Sequence, residues 1–245
     1  MRCFALSEIG NYRKRNEDSY STIRNNKGEI LAIVCDGVGG SNAGDIASFE
    51  TVKYFNEIFA FNDGFDSKED AVTYFDNHIA IVNNNIFTLS TSSKNYKDMA
   101  TTLTAVYIGQ NFILGFNIGD SRIYINDING KVVQISEDHN RANDLIKNHN
   151  MSYQEAYSQQ DSDHITKAIG SQSSFIPDYY DISFNVKSIF LTSDGLHDYI
   201  NNDKIECVLN KNHYSISTKA KDLINIALKN GSRDNVTLIL IEMEN

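Results

Sequence analysis

The chain has 245 residues, 41% hydrophobic and 22% charged, with a single proline, Pro177. That composition suits one large domain or two small ones and excludes a disordered chain. A net charge of −10, from 22 basic and 32 acidic residues, disfavours a duplex nucleic-acid binder, which needs a basic face, and suits an enzyme whose acidic pocket binds cations.

Cys3 to Ile9 and Ser19 to Arg24 alternate as strands, Asn26-Lys27-Gly28 is a turn, and Leu31 to Cys35 is a buried strand. Residues 1–10 turn polar too soon for a signal peptide. No later run approaches the roughly 20 apolar residues of a spanning helix, so the protein reads as soluble and cytoplasmic, with no membrane partner. A helix starts at about Ala43, with Ile46, Phe49, Val52, Phe55 and Phe59 on one face. A second starts at Ser67, an N-cap with Asp70 three residues on, and carries the stripe Val72, Phe75, Ile79, Val82, Ile86, Leu89. From Thr101 to Ser136 the period becomes two. Thr102 to Ile108, Phe112 to Ile118, Arg122 to Asn126 and Val132 to Ile135 are strands of an antiparallel meander, with turns at Gln110-Asn111 and Asn129-Gly130. Residues 139–164 are polar, with two short helical pieces, and read as a mobile surface subdomain. Tyr179 to Phe184 and Ser188 to Thr192 are strands. Helices follow near Asp203 to Leu209 and Ser217 to Lys229, and Val236 to Ile241 is the last strand. Two antiparallel sheets flanked by helices, an α+β sandwich in αββα layers, account for this order better than a doubly wound sheet. No GxGxxG or Walker lysine motif is present.

The three cysteines, Cys3, Cys35 and Cys207, are odd in number and lack C-x-x-C spacing, so neither a disulfide framework nor a zinc knuckle is implied. All three read as inert core residues.

Four aspartates carry the chemistry. Asp36, Asp120 and Asp194 each follow an apolar run, and Asp234 precedes one, with glycine adjacent or close by each time. A carboxylate at the mouth of a buried strand costs stability unless its charge is compensated. Taken singly, each is an ordinary turn residue, and Asp234-Asn235 an ordinary Asx turn. Together they point to carboxylates gathered around hard divalent cations, with Asp36 bridging two ions and the Gly37 carbonyl binding one of them. The run Arg13 to Asp18 is either a solvated charged loop or an anchored one whose guanidinium grips a phosphate. Several carboxylates, two oxygen-liganded cations and one arginine suit phosphoester hydrolysis by an activated water.

These residues lie in motifs that resemble a known family. The motifs are Arg13-x-x-Asn16-Glu17-Asp18, Asp36-Gly37-Val38-Gly39-Gly40, Thr101-Thr102-Leu103, Asn117-Ile118-Gly119-Asp120-Ser121-Arg122, Ser136-Glu137-Asp138-His139, Ile165-Thr166-Lys167-Ala168-Ile169-Gly170, Leu191-Thr192-Ser193-Asp194-Gly195-Leu196 and Gly231-Ser232-x-Asp234-Asn235-x-Thr237. Over nearly its whole length and in order, the chain resembles the metal-dependent serine/threonine protein phosphatases of type 2C (the PPM family) in their short bacterial form. The resemblance implies one catalytic domain over 1–245 with a flap at about 139–164, and a dinuclear Mn²⁺ or Mg²⁺ site. It implies Asp36 as the bridging ligand, Asp194 and Asp234 on one metal, the Gly37 carbonyl on the other, and Asp120 with Asp194 at a weaker third site. Arg13 would bind the substrate phosphate, and Glu17 and Asp18 would act through metal-bound waters. Asp198 orients those waters or is a solvated cap. The implied substrates are phosphoserine and phosphothreonine proteins, the targets of a serine/threonine kinase, attacked by a metal-bridging hydroxide. No C-x5-R or G-x-S-x-G nucleophile motif offers a covalent route.

Val38 stands where many eukaryotic relatives have a histidine general acid, Ser41 where bacterial relatives often have histidine, Ala100 for a usual glycine and Lys167 for a usual arginine. Val38 and Ser41 leave room for a second reading, a non-catalytic metal-binding signalling module. A small-molecule phosphoesterase is a third. His139, beside Asp138, reads as a structural hydrogen-bonder in preference to a general base, and His197 as a neighbour of the site.

Overall fold

Strands that are apolar on both faces must be covered on both faces, and the chain meets that demand with four layers. The computed structural model describes residues 1–38 and 43–243. Ser41, with Gly39, Gly40 and Asn42, lies outside the described residues. One antiparallel sheet runs β1 (Arg2–Glu8), β11 (Val236–Glu242), β10 (Val186–Thr192), β7 (Arg122–Asp127), β8 (Val132–Gln134). The other runs β2 (Asp18–Arg24), β3 (Ile30–Val38), β5 (Leu103–Ile108), β6 (Ile113–Ile118), β9 (Asp178–Ile182), with the short β4 (Ala100–Thr101) paired to the end of β3. Helices α1 (Gly44–Ala60) and α2 (Lys68–Ser92) cover the outer face of the second sheet. Helices α6 (Asn202–Leu209) and α7 (Ile216–Lys229) cover the first. The expected α+β sandwich is the observed architecture.

Period two sorts each strand between two cores. On β3, Leu31, Ile33 and Cys35 face α1 and α2, while Ile30, Ala32 and Val34 face the other sheet. On β11, Leu238 and Leu240 face α7, while Ile239 and Ile241 face inward. On β10, Phe190 faces outward and Ile189 and Leu191 inward. The inner rows are apolar in mid-sandwich and become polar at one end. Continued by two residues, they read Ser7 on β1, Asp36 on β3, Ser193 past β10 and Thr237 on β11.

Several expectations need correction. The stretch 101–136 is not one meander. β5–β6 and β7–β8 are hairpins, but β6 and β7 lie in different sheets, and the chain crosses between them at Gly119-Asp120-Ser121. A change of sheet leaves the alternation intact, so period alone does not reveal it. Phe49 is 56% exposed, because the covered side of α1 carries Ala47, Ser48, Thr51, Val52, Phe55 and Phe59. Leu89 is exposed near the end of α2. Cys207 is exposed and Cys3 only partly buried, and Cys35 alone of the three is a core residue. Ser67 caps α2 as expected, its side chain accepting from the Asp70 amide.

The polar insert carries α3 (Arg141–His149) and α4 (Tyr153–Tyr157). A bridge between Asn140 and Ile165 closes its base, and Ala142 and Ala156 are the buried residues of its helices. Among the described residues no helix is long and apolar enough to cross a membrane.

The two phenylalanines of α1 give a test of this layering. Phe55→Ala should cost about 3–5 kcal/mol of unfolding free energy in urea. Phe49→Ala should change it by less than about 0.5 kcal/mol.

Candidate metal centre

The polar ends of the inner rows meet. Asp18 opens β2 directly opposite Asp36 on β3, so the two side chains share the inner face. Asp18 is buried and fastened by the other sheet: its Oδ2 accepts from Ser193 Oγ at 2.8 Å and Thr237 Oγ1 at 2.5 Å. Ser193 Oγ in turn accepts the Thr237 amide at 3.0 Å. Asp36 is held by its backbone, whose amide donates to Thr102 Oγ1 at 2.9 Å and whose carbonyl accepts the Thr102 amide at 2.8 Å. Asp194 is the first residue of the single-turn helix α5 (Asp194–His197), directly after Ser193. Asp120 sits at the crossing between sheets, and Asp234 just before β11.

Two glycines allow this crowding. A Cβ on Gly37 would lie 2.3 Å from the Gly44 carbonyl oxygen and 2.7 Å from that of Glu17, so only glycine lets the start of α1 close over β3. A Cβ on Gly195 would lie 2.0 Å from the Asn235 carbonyl oxygen. The Gly37 motif thus serves backbone packing, alongside the metal-ligand role expected of its carbonyl.

The acids perturb one another. Burial lifts Asp36 well above the ordinary carboxylate range, and Asp18, Asp194, Asp120 and Asp234 add to it by charge. Burial lifts Asp194 likewise, with Asp120, Asp234, Asp198 and Asp18 adding. Asp120 is pushed up to about 7 by burial and then by Asp138. Asp18 is pushed up to about 6 by burial, against the pull of its bonds from Thr237 and Ser193. These carboxylates are within Coulombic reach of one another and short of positive charge.

One cation that reaches the acids is Arg13, whose guanidinium lies 2.5 Å from Asp234 Oδ2 and 3.9 Å from Glu17. Its side chain is 46% exposed and reachable from solvent. Glu17 is half-buried, and its carbonyl oxygen accepts the Gly37 amide at 3.1 Å and Ser48 Oγ at 2.6 Å. Asp198 stands at the solvent edge, its carboxyl raised by burial and then by Asp138 and other acids against the pull of Arg122.

Asp194 Oδ1 and Asp18 Oδ1 are buried without a protein hydrogen-bond partner. A buried carboxylate oxygen with no donor fits a cation or water as its partner. Among the described residues no three Asp, Glu, His or Cys side chains form a group that could by itself hold an ion. Carboxylate oxygens open to a partner are hard donors. Such donors fit hard divalent cations such as Mg²⁺ or Mn²⁺.

Two residues matter that sequence reasoning gave no role. Asn235 is buried and staples the loop carrying Arg13: its Nδ2 donates to the Ile9 and Arg15 carbonyls, both at 2.9 Å, and its Oδ1 accepts the Glu17 amide at 2.8 Å. Its type suggested a local turn, and nothing in the sequence signals bonds across more than 200 residues. Arg122 chelates the buried Asp138, with Nε at 2.9 and 3.0 Å and an Nη2 contact of 2.6 Å, which fixes the strand after Asp120.

His139 proves structural. Its Nδ1 accepts the Gly119 amide at 3.0 Å and its own amide donates to the Gly119 carbonyl at 2.9 Å. The ring proton therefore sits on Nε2, 3.1 Å from Asp178. The residue holds the Gly119-Asp120 turn, and burial lowers its pKa. His197 is buried, with Nδ1 2.8 Å from Thr192 Oγ1. Val38 is half-buried beside Ala100 and offers no proton.

Known proteins resemble the chain over nearly its whole length. The profile of the family described as Protein phosphatase 2C matches residues 12–219. The serine/threonine phosphatase Stp of Listeria monocytogenes is 29% identical over 239 residues, covering 97% of this chain and 94% of its own. The solved structure of the S. agalactiae serine/threonine phosphatase is 32% identical with a TM-score of 0.92, covering 99% of each chain. The catalytic domain of the phosphatase PstP, solved in complex with two manganese ions, is 26% identical with a TM-score of 0.82, covering 100% of this chain and 98% of that one.

Asn235→Ala should strand an amide and two carbonyls and cost about 1–3 kcal/mol. Hydrogen exchange should quicken across residues 10–17, while amides in the middle of β3 keep their protection.

Proposed function

The chain belongs to the protein phosphatase 2C family, and on that premise we propose that it is a divalent-metal-dependent hydrolase removing phosphate from phosphoserine and phosphothreonine in proteins. One observation carries the reading. Both sheets deliver carboxylates to one end of the sandwich, where a buried oxygen of Asp194 lacks any donor and the exposed guanidinium of Arg13 lies 2.5 Å from Asp234.

Asp36, Asp194 and Asp234 are the proposed ligands of two ions, Mn²⁺ or Mg²⁺, together with the Gly37 carbonyl. Asp120 with Asp194 is proposed for a weaker third. Bound cations would supply an activated water and neutralise charge on the phosphoryl group, with no covalent phosphoenzyme. Arg13 binds the phosphate: its guanidinium is exposed, hinged on a loop that Asn235 holds, and matched in geometry to two phosphate oxygens. In the free protein it rests on Asp234, so phosphate and Asp234 compete for it. Glu17 and Asp198 orient water from the rim. Asp18 has a double part, since one oxygen is consumed by Ser193 and Thr237 and the other remains open toward the cluster.

No side chain among those described stands out as the proton donor to the leaving group: Val38 has no proton, and His139 is committed to Gly119 and Asp178. Solvent water ordered by the acids fills that part. The 139–164 insert is proposed as the flap beside the site, over a single catalytic domain. The proposed setting is the cytoplasm, where a serine/threonine kinase acting on the same proteins makes the substrates.

Phosphate release from a phosphothreonine peptide should require Mn²⁺, vanish with chelator, and fall more than about 100-fold in Asp36→Asn, beyond the loss usual for residues that only support a ligand. Equal rates in all three conditions would overturn the proposal. Calorimetry gives a readout independent of turnover. Mn²⁺ at about 100 times its Kd should add about 2.7 kcal/mol of stability, and Asp36→Asn should remove most of that gain.

A further inference from the structure

We infer that the cleft between β4 and the 161–165 segment holds the substrate chain beside its phosphorylated residue and selects chains carrying a lysine or arginine there. The inference rests on the phosphatase reading above and names a feature of its substrates.

The cleft has a volume of about 520 Å³. Its apolar lining is Val38, Ala100, Ile165 and Ala168, and its acidic lining Asp98, Asp161 and Asp163, with His164 and Ser171 completing the wall. It borders the metal centre on two sides. Val38 lies two residues beyond Asp36 on β3 and pairs with Ala100. On the far side, Asp163 is close enough to Asp198 for its charge to act on that carboxyl.

The acidic wall is built, not draped. The His164 amide donates to the Asp161 carbonyl at 3.0 Å, Ala142 to Ser162 at 2.8 Å, Arg141 to His164 at 2.9 Å, and Thr166 to His139 at 2.8 Å. Asp161 and Asp163 are exposed and, among the described residues, neither has an ion-pair partner, whereas Asp98 lies 3.8 Å from Lys97 and Asp178 3.7 Å from Lys167.

Charge and shape name the occupant. A phosphorylated residue at the metal centre places its neighbours in an extended chain roughly 3.3 Å per residue away, so residues two or three along reach this cleft. A lysine or arginine lays its methylene stem on Val38, Ile165 and Ala168 and brings its charged head to Asp161 and Asp163. A glutamate or a second phosphate would meet like charge. Arginine has the further advantage of a planar fork that a carboxylate can accept on two oxygens.

The test is steady-state kinetics of the full chain with saturating Mn²⁺. The substrates are phosphothreonine peptides identical except for arginine, alanine or glutamate at the second and third positions on either side. The expected kcat/KM order is arginine over alanine over glutamate, with roughly a three- to tenfold step from arginine to alanine, the size two exposed ion pairs supply. The step should lie in KM and shrink at high salt. In the double variant Asp161→Asn, Asp163→Asn the step should fall below about twofold, with circular dichroism confirming the fold. Peptides hydrolysed without preference, or a preference unchanged in the double variant, would overturn the docking inference and leave the phosphatase reading intact. Failure to hydrolyse any peptide or a simple aryl phosphate would overturn both.

Discussion

Buried like charge is the constraint around which this protein is arranged. Asp18, Asp36, Asp120, Asp194 and Asp234 act on one another electrostatically at one end of a β-sandwich, in surroundings that strengthen each repulsion. Nothing within a sandwich core rewards that placement, so rigid groups must hold each acid against its neighbours. Hydroxyls do much of this. Ser193 and Thr237 fix Asp18, while Thr102 receives the Asp36 amide and lies 2.9 Å from Ser121. Thr104, buried on the inner row of β5, bonds Asn117, whose side chain reaches the carbonyls of Gly119 and Glu137. These contacts cross from strand to strand and sheet to sheet. The scaffold is stiff where the charges meet, as a site that binds without reorganising needs to be.

The basic groups divide the labour. Arg122 is sequestered by Asp138 and supports the chain behind Asp120. Arg13 remains on an outer loop, with its side chain 46% exposed and paired to Asp234. Both follow from where the residue falls in the fold, since the same side chain at the start of a buried strand and in a surface loop meets opposite degrees of solvation.

Much of this was legible because alternation is a strong signal. β5, β6 and β7 declared themselves by period two, β3, β10 and β11 by short apolar runs, and α2 by its Ser67 cap and the Phe75-Ile79-Val82-Ile86 stripe. The site aspartates stood out by type and setting, at the mouths of apolar runs. What was illegible was relational. The change of sheet at Gly119 leaves no mark on the pattern of polarity. β4 is two residues long and α5 one turn, too brief for any period. Phe49 is apolar in a helix whose covered arc passes it by. Asn235 looks like a turn residue and acts as a cross-chain clamp, because its three partners lie at the other end of the sequence.

β11 lies between β1 and β10, in the interior of its sheet, yet among the described residues it is the last strand in chain order. Thr237, Asn235 and Asp234 arrive with it. A polypeptide emerging from the ribosome therefore has β1 and β10 with a gap between them, Asp18 without one of its hydroxyl donors, and the Arg13 loop untied. The end of the sandwich that carries the acids cannot close until β11 pairs between its two neighbours, so its order depends on contacts that span most of the sequence.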